Sequence, residues 1–185
     1  LQPKIVDGTF VIKNSSEAVA LQSKAELSRD EMAKIIGQVT TNWDFNTAKN
    51  LAEANLTVAA AEDKGDVSIL APNDGTARAI ADTFAADGDV TSFVVTGQDA
   101  EKASVQYIID GKQSMTVFKD VRTLVADAIT MAVALLKGEK PTTTGSYNNG
   151  KIDVNIYQLD PVVVTKANAA EVFANDPDRL ALLEG

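Results

Sequence analysis

Apolar positions along the chain switch repeatedly between two spacings. Short β-branched runs, apolar at nearly every place, are followed by stretches where apolar residues recur every three or four places. TFVIK (9–13), after the turn pair Asp7-Gly8, predicts a short strand. Ser28 and Glu31 have capping-box spacing ahead of Met32, Ile35 and Ile36, which predicts a helix. Ala48, Leu51, Ala52 and Leu56 share one helical face. DVSILAP (66–72) reads as a strand, and Ala77, Ile80, Ala81 and Phe84 mark the helix after it. SFVVTG (92–97) is the next strand, followed by Val105, Ile108 and Ile109 in a helix that ends on Gly111. SMTVFK is a strand again. Val121, Leu124, Val125, Ala128, Ala132 and Leu135 then make the longest helical stripe, closed by Gly138 and Pro141. KGEKPTTTGSYNNGK (137–151) reads as a linker or exposed loop, DVNIYQLDPVVVTK as extended chain, and 168–174 and 177–183 as short helices. No internal repeat or low-complexity tract interrupts the alternation.

Strands alternating with helices predict βαβ units, so the expected fold is α/β: a Rossmann-like, three-layer arrangement of a parallel sheet with helices on both faces. Such sheets bind ligands beyond the carboxyl ends of their strands. The residues of interest therefore stand just after each strand. They are Asn73, Asp74 and Gly75, then Gln98 and Asp99, then Lys119 and Asp120. The loop after the first strand should open into the same crevice, and somewhere along it lies Trp43, the only tryptophan.

Composition narrows the chemistry. The 185 residues are enough for one good core or two small ones. A net charge of −9 argues against nucleic acid and against anionic membrane surfaces. With no histidine and no cysteine there is no Ser-His-Asp triad, no cysteine nucleophile, no zinc finger and no disulfide framework. No apolar run approaches the ~20 residues of a membrane helix. Absence of cysteine fits an exported protein and also many cytosolic ones. The chain opens on Leu1, and LQPKIVDGT has the pattern of a helix tail, which raises the expectation of a processed chain or a fragment.

Each strand-end residue has a plain structural reading beside a functional one. Asn73, Asp74 and Asp120 fit helix N-caps, Trp43 fits a core or helix-start position, and Lys119 fits a solvated charge. The set is more telling than its members. An amide, a carboxylate, an ammonium and an indole at one rim match a neutral polyhydroxylated ligand. They match phosphate poorly, because no Gly-rich P-loop and no arginine stand at these turns. No cofactor and no metal are called for.

Three blocks together carry a family resemblance: SILAPNDGTARAIADTF, VVTGQDAEKASVQYIIDGKQSMTVFKD and LVADAITMAVALLKGEKP. They resemble the second half of the type I periplasmic sugar-binding proteins of bacterial ABC transporters, in the xylose-, glucose- and multiple-sugar-binding branch. The resemblance implies two Rossmann-like lobes joined by crossover strands and closing on a sugar. By this likeness Trp43 stacks on the pyranose ring, Asn73 and Asp99 hydrogen-bond hydroxyls, and Lys119 reaches another oxygen near the hinge. Asp74 and Gln98 are second choices that orient these groups. The implied partners are a monosaccharide such as glucose, xylose, arabinose or galactose and an ABC permease. The implied location is extracytoplasmic, periplasmic or lipid-anchored on the outer face of the cell membrane.

The same likeness divides the chain. Residues 1–120 become the sugar-binding lobe with an insertion at 14–40, 121–155 a segment of the other, otherwise missing lobe, and 156–185 the return crossover and tail. The stripe at Val121, Leu124, Val125, Ala128, Met131, Ala132 and Leu135 is then orphaned. Burying five large side chains is on the order of 10 kcal/mol, so the helix is expected to dock, preferably on a second copy through 121–138. Two other classes compete with a transport receptor. The effector-binding lobe of a LacI-type regulator shares the fold, and an enzyme using Asp74 or Asp99 as a base lacks a second titrating partner at plausible spacing.

Overall fold

The computed structural model describes residues 1–13, 16–37 and 39–183. Residues 14, 15 and 38 of the expected insertion, and 184–185 of the tail, lie outside the described residues. The chain opens with three short helices, α1 (Gln2–Val6), α2 (Ser16–Leu21) and α3 (Arg29–Ile36). Ser28 caps α3 through the expected capping box with Glu31. Ile5, Ala18, Leu27 and Ile35 bury against one another, with Ile12, Leu21 and Met32 around them, so this region has its own small core.

A helix and three strand–helix units follow: α4 (Phe45–Val58), β1 (Asp66–Ile69), α5 (Asp74–Ala86), β2 (Ser92–Val95), α6 (Lys102–Ile109), β3 (Thr116–Phe118) and α7 (Val121–Leu136). A hairpin of β4 (Gly145–Asn148) and β5 (Asp153–Ile156) precedes β6 (Val162–Val164), α8 (Ala169–Val172) and α9 (Pro177–Leu183). β1 and β2 run parallel, from Asp66 opposite Ser92 to Ile69 opposite Val95. A parallel bridge between Gln98 and Val117 carries the order on to β3. β6 pairs with β3, Thr116 opposite Val164 and Phe118 opposite Val162.

The α/β alternation is as expected, with three local differences. β6 is antiparallel, because the chain leaves β3 at its carboxyl end and returns at that same end after α7 and the hairpin. TFVIK is not a strand: no strand among the described residues pairs with it, and the Gln22 side chain serves instead. The Ile12 N–H donates to Gln22 Oε1 at 2.7 Å, while Gln22 Nε2 donates to the Ile12 carbonyl at 3.3 Å. Four residues of the loop expected at 137–151 form strand β4, turned onto β5 at Asn149-Gly150, where Gly150 has φ +89°.

Packing divides the helices sharply. α4 and α5 cover one face of the parallel pair through Ala52, Leu56 and Phe84 against Val67, Ile69 and Phe93. Ala71, Ala77, Ala81 and Val95 continue that core toward the carboxyl ends of the strands. The third core joins α6 and β3 to the end of the chain: Ala100, Val105 and Phe118 pack with Val164, Ala169 and Phe173. α7 has no buried residue at all. Val121, Leu124, Val125, Ile129, Leu135 and Leu136 are each at least half exposed. The helix therefore does not fold back on its own sheet.

Candidate functional site

The turn after β2 has an unusual backbone and is braced from several sides. Asp99 and Ala100 both take positive φ, +102° and +50°. For non-glycine residues such backbone costs about 1–3 kcal/mol each and persists only where neighbours over-determine it. Here they do. The Asp99 N–H donates to the Val117 carbonyl (2.9 Å), and the Val117 N–H donates to that of Gly97 (3.0 Å). The Ala100 N–H donates to Thr116 Oγ1 at 3.1 Å. The Glu101 N–H donates to Asp74 Oδ2 at 2.8 Å, and the Asp74 N–H donates to the Gln98 carbonyl at 2.9 Å. Arg179 Nε, from α9, donates to the Ala100 carbonyl at 2.8 Å.

Asp74 is the centre of this support. Its residue is wholly buried, and its Oδ1 accepts from Gln113 Nε2 at 3.0 Å. Burial pushes its carboxyl above the ordinary value, against the opposing hydrogen bonds from Gln113, Thr116 and the Glu101 N–H. Its side chain is thus committed inward and not offered to a ligand. Gly97 is a glycine for a steric reason: a Cβ there would lie 2.3 Å from both Asp74 Oδ1 and Gln113 Nε2.

What the turn presents outward is the Asp99 carboxylate, 3.4 Å from Lys119 Nζ, with both side chains 45% exposed. Asn73 caps α5, its Oδ1 accepting from the Thr76 N–H (3.2 Å) and hydroxyl (2.6 Å). That fixes the side chain and leaves Nδ2 without a hydrogen bond among the described residues. Gln98 is half-buried, and its carbonyl is tied to Asp74. Trp43 follows Asn42 with both at positive φ (+57° and +52°) and is 69% exposed. It lines a shallow hollow of about 190 Å³ with Val39, Thr41 and Pro72, the residue before Asn73. The structure therefore pairs Asp99 with Lys119 directly, links Asn73 to them through the Asp74–Gln98 backbone bond, and sets the indole beside Pro72. Asp99 and Lys119 also edge a second hollow of about 450 Å³, which continues past Asp120 and Arg122 to Asp176 and Arg179.

Thr116, Gln113 and Arg179 are absent from the candidates read off the sequence. Thr116 and Gln113 lie within or beside a strand and look like packing residues. Arg179 is distant in the chain, and its only local signal is Asp176 before Pro177, a helix-start pattern. Among the described residues there is no group of three or more acidic, histidine or cysteine residues suited to a metal ion. No helix there is long and apolar enough to cross a membrane.

Comparisons with known proteins converge. The chain is 34% identical over 145 residues to the D-xylose-binding periplasmic protein of Haemophilus influenzae, covering 77% of this chain and 42% of that one. It is 34% identical over 179 residues to the multiple sugar-binding periplasmic receptor ChvE of Rhizobium radiobacter, covering 94% and 46%. Among solved structures it superposes on a carbohydrate transporter solute-binding protein from Chloroflexus aurantiacus, in complex with D-glucose, with TM-score 0.87 and 74% identity. That match covers 96% of this chain and 52% of the other. An ABC transporter solute-binding protein from Clostridium phytofermentans with bound β-D-glucose matches with TM-score 0.75 and 28% identity, over 97% and 52% of the two chains. The chain spans about half the length of the curated relatives it matches. The periplasmic binding protein domain matches residues 9–140, and with this fold and these relatives the chain belongs to the periplasmic binding protein family.

Proposed function

We propose that the chain is the sugar-binding lobe of an ABC-transporter receptor that works outside the cytoplasm, periplasmic or lipid-anchored. It binds a monosaccharide of the glucose, xylose, arabinose or galactose kind and does not transform it. Trp43 offers a face for the C–H side of the ring, while Asn73 Nδ2, Asp99 and Lys119 hydrogen-bond its hydroxyls. The observation that carries this reading is the outward Asp99–Lys119 pair on a turn whose backbone is bound inward on every side. The glucose-bound relative that covers nearly all of this chain supports the ligand class. Relatives on the transport side make a LacI-type effector lobe the less favoured reading.

The organisation follows the same reading. Residues 1–120, carrying the insertion 14–40, form the lobe; 121–155, with its exposed helix and hairpin, belongs to a second lobe; 156–185 returns to the first. The shared core of Phe118, Val164 and Phe173 supports the return. By itself, this chain covers the α7 stripe with a second copy, and light scattering tests that: a stable monomer at high concentration excludes it.

With one lobe, half the hydrogen bonds to the sugar are missing, each worth about 1 kcal/mol, so affinity should be millimolar or weaker. Saturation-transfer NMR with the four sugars, on the chain and on Asp99→Ala and Lys119→Ala, is the test. The parent chain should give a saturable transfer signal that saturates only at much higher sugar concentration in both variants. No saturable signal with any of the four sugars overturns the reading, and micromolar binding overturns its half-site part.

A further inference from the structure

We infer that Arg179 is a positioning residue for the sugar site: from α9 it holds the Ala100 carbonyl and thereby keeps Asp99 aimed outward. The inference rests on Asp99 being a ligand contact, as proposed above. Three side chains clamp the positive-φ pair, and they come from three places. Asp74 and Thr116 take the N–H groups of Glu101 and Ala100 from the sheet side. Arg179 takes the Ala100 carbonyl from α9, 79 residues along the chain.

Arg179 is itself held rigidly. Its Nη1 donates to Asp176 Oδ2 at 2.6 Å, and Asp176 Oδ1 accepts the Arg179 N–H at 3.1 Å. The guanidinium lies 5.4 Å from the Phe118 ring and 5.6 Å from that of Phe173, so the aromatic core sets its plane. Its side chain is 21% exposed, against 45% for Asp99. Without that donor, the Ala100 carbonyl keeps no partner in the clamp, and the peptide between Ala100 and Glu101 is held only on its N–H side, by Asp74. Residues Asp99 and Ala100 then relax toward negative φ, which swings the Asp99 carboxylate away from Lys119. A planar, fixed fork suits this task better than a flexible ammonium.

The test compares Arg179→Gln and Arg179→Lys with the parent chain by two readouts. The first needs no ligand: three-bond HN–Hα couplings of Asp99 and Ala100 and the carbonyl shift of Ala100. Both should move in Arg179→Gln, with Arg179→Lys between the two, while the β1 and β2 amides stay in place. The second is D-glucose titration followed by NMR, repeated in an Asp99→Ala background. Loss of the charged hydrogen bond should weaken glucose binding about tenfold in the parent and much less once Asp99 is gone. Unchanged couplings at Asp99 and Ala100 overturn the inference, as does an equal affinity loss in both backgrounds. If the parent itself shows no glucose binding, the sugar reading fails, while the coupling arm still decides whether Arg179 sets the turn. Should Arg179→Gln fail to fold, Thr116→Val removes another arm of the same clamp, and unchanged couplings there count equally against it.

Discussion

Helices α5 and α7 begin alike and end up in opposite surroundings. Each follows a strand, each is capped by the side chain of the residue before it (Asn73 onto the Thr76 N–H, Asp120 onto the Arg122 N–H), and each carries a clear apolar stripe. Yet α5 buries Ala77, Ala79, Ala81 and Phe84 along its face, and α7 buries nothing. An apolar face states that a helix needs cover; it does not state whose. In α5 the partner is the adjacent sheet, reached by a short connection. In α7 the chain has left the sheet, and the exposed β4–β5 hairpin comes next, before the chain returns to the sheet as β6.

Stability measurements put the contrast at its largest. Phe84→Ala should cost about 3–5 kcal/mol in urea unfolding, because the ring is buried against Leu56 and Phe93. Leu124→Ala on α7 should stay within about 0.5 kcal/mol at protein concentrations too low for a second copy to dock, since that side chain is half exposed in the single chain. A larger cost that grows with protein concentration would instead mark α7 as covered by a second copy. Next in size is Gly97→Ala. The added methyl meets Asp74 and Gln113 at 2.3 Å, so about 1–3 kcal/mol should be lost. A neutral result would show that the buried Asp74 network yields easily.

Acid sharpens the difference between buried and surface carboxylates. Burial holds the Asp74 carboxyl above its ordinary 3.8, so the folded chain takes up that proton first. Its contribution to stability therefore rises as pH falls through the folded value toward 3.8. Asp87 behaves oppositely. The hydrogen bond from Lys64 holds its carboxyl below 3.8, so its contribution is present above that value and lost as pH falls through the folded one. Unfolding from about pH 6 to about pH 3 should show a shallower acid loss in Asp87→Asn and a steeper one in Asp74→Asn. The reverse order would mean that Asp74 is not desolvated. The smallest effect belongs to Trp43. At 69% exposure its fluorescence should be readily quenched by acrylamide, and Trp43→Phe should leave stability within about 0.5 kcal/mol. A shielded, blue-shifted emission would remove it from the site.

Local rules carried far in this chain. The Ser28–Glu31 box, the Asn73 and Asp120 caps, the β-branched runs of β1 and β2 and the stripe of α5 each depend on residues within one or two turns, so their order along the chain predicts their form. The strand-end position of Asn73, Asp99 and Lys119 follows from the same alternation, because strands of a wound sheet point their carboxyl ends one way. Three things lay beyond local reach. TFVIK has strand composition but no strand beside it among the described residues, and Gln22 bonds its backbone instead. β6 runs antiparallel because of where the chain re-enters the sheet. Asp74 reads as one more helix-start carboxylate, yet packing buries it and turns it, with Gln113, Thr116 and Arg179, into the support of the Asp99 turn. Periodicity reports how neighbours in sequence share a face, whereas register, burial and the meeting of residues 74, 116 and 179 depend on contacts between distant segments, which only the folded chain creates.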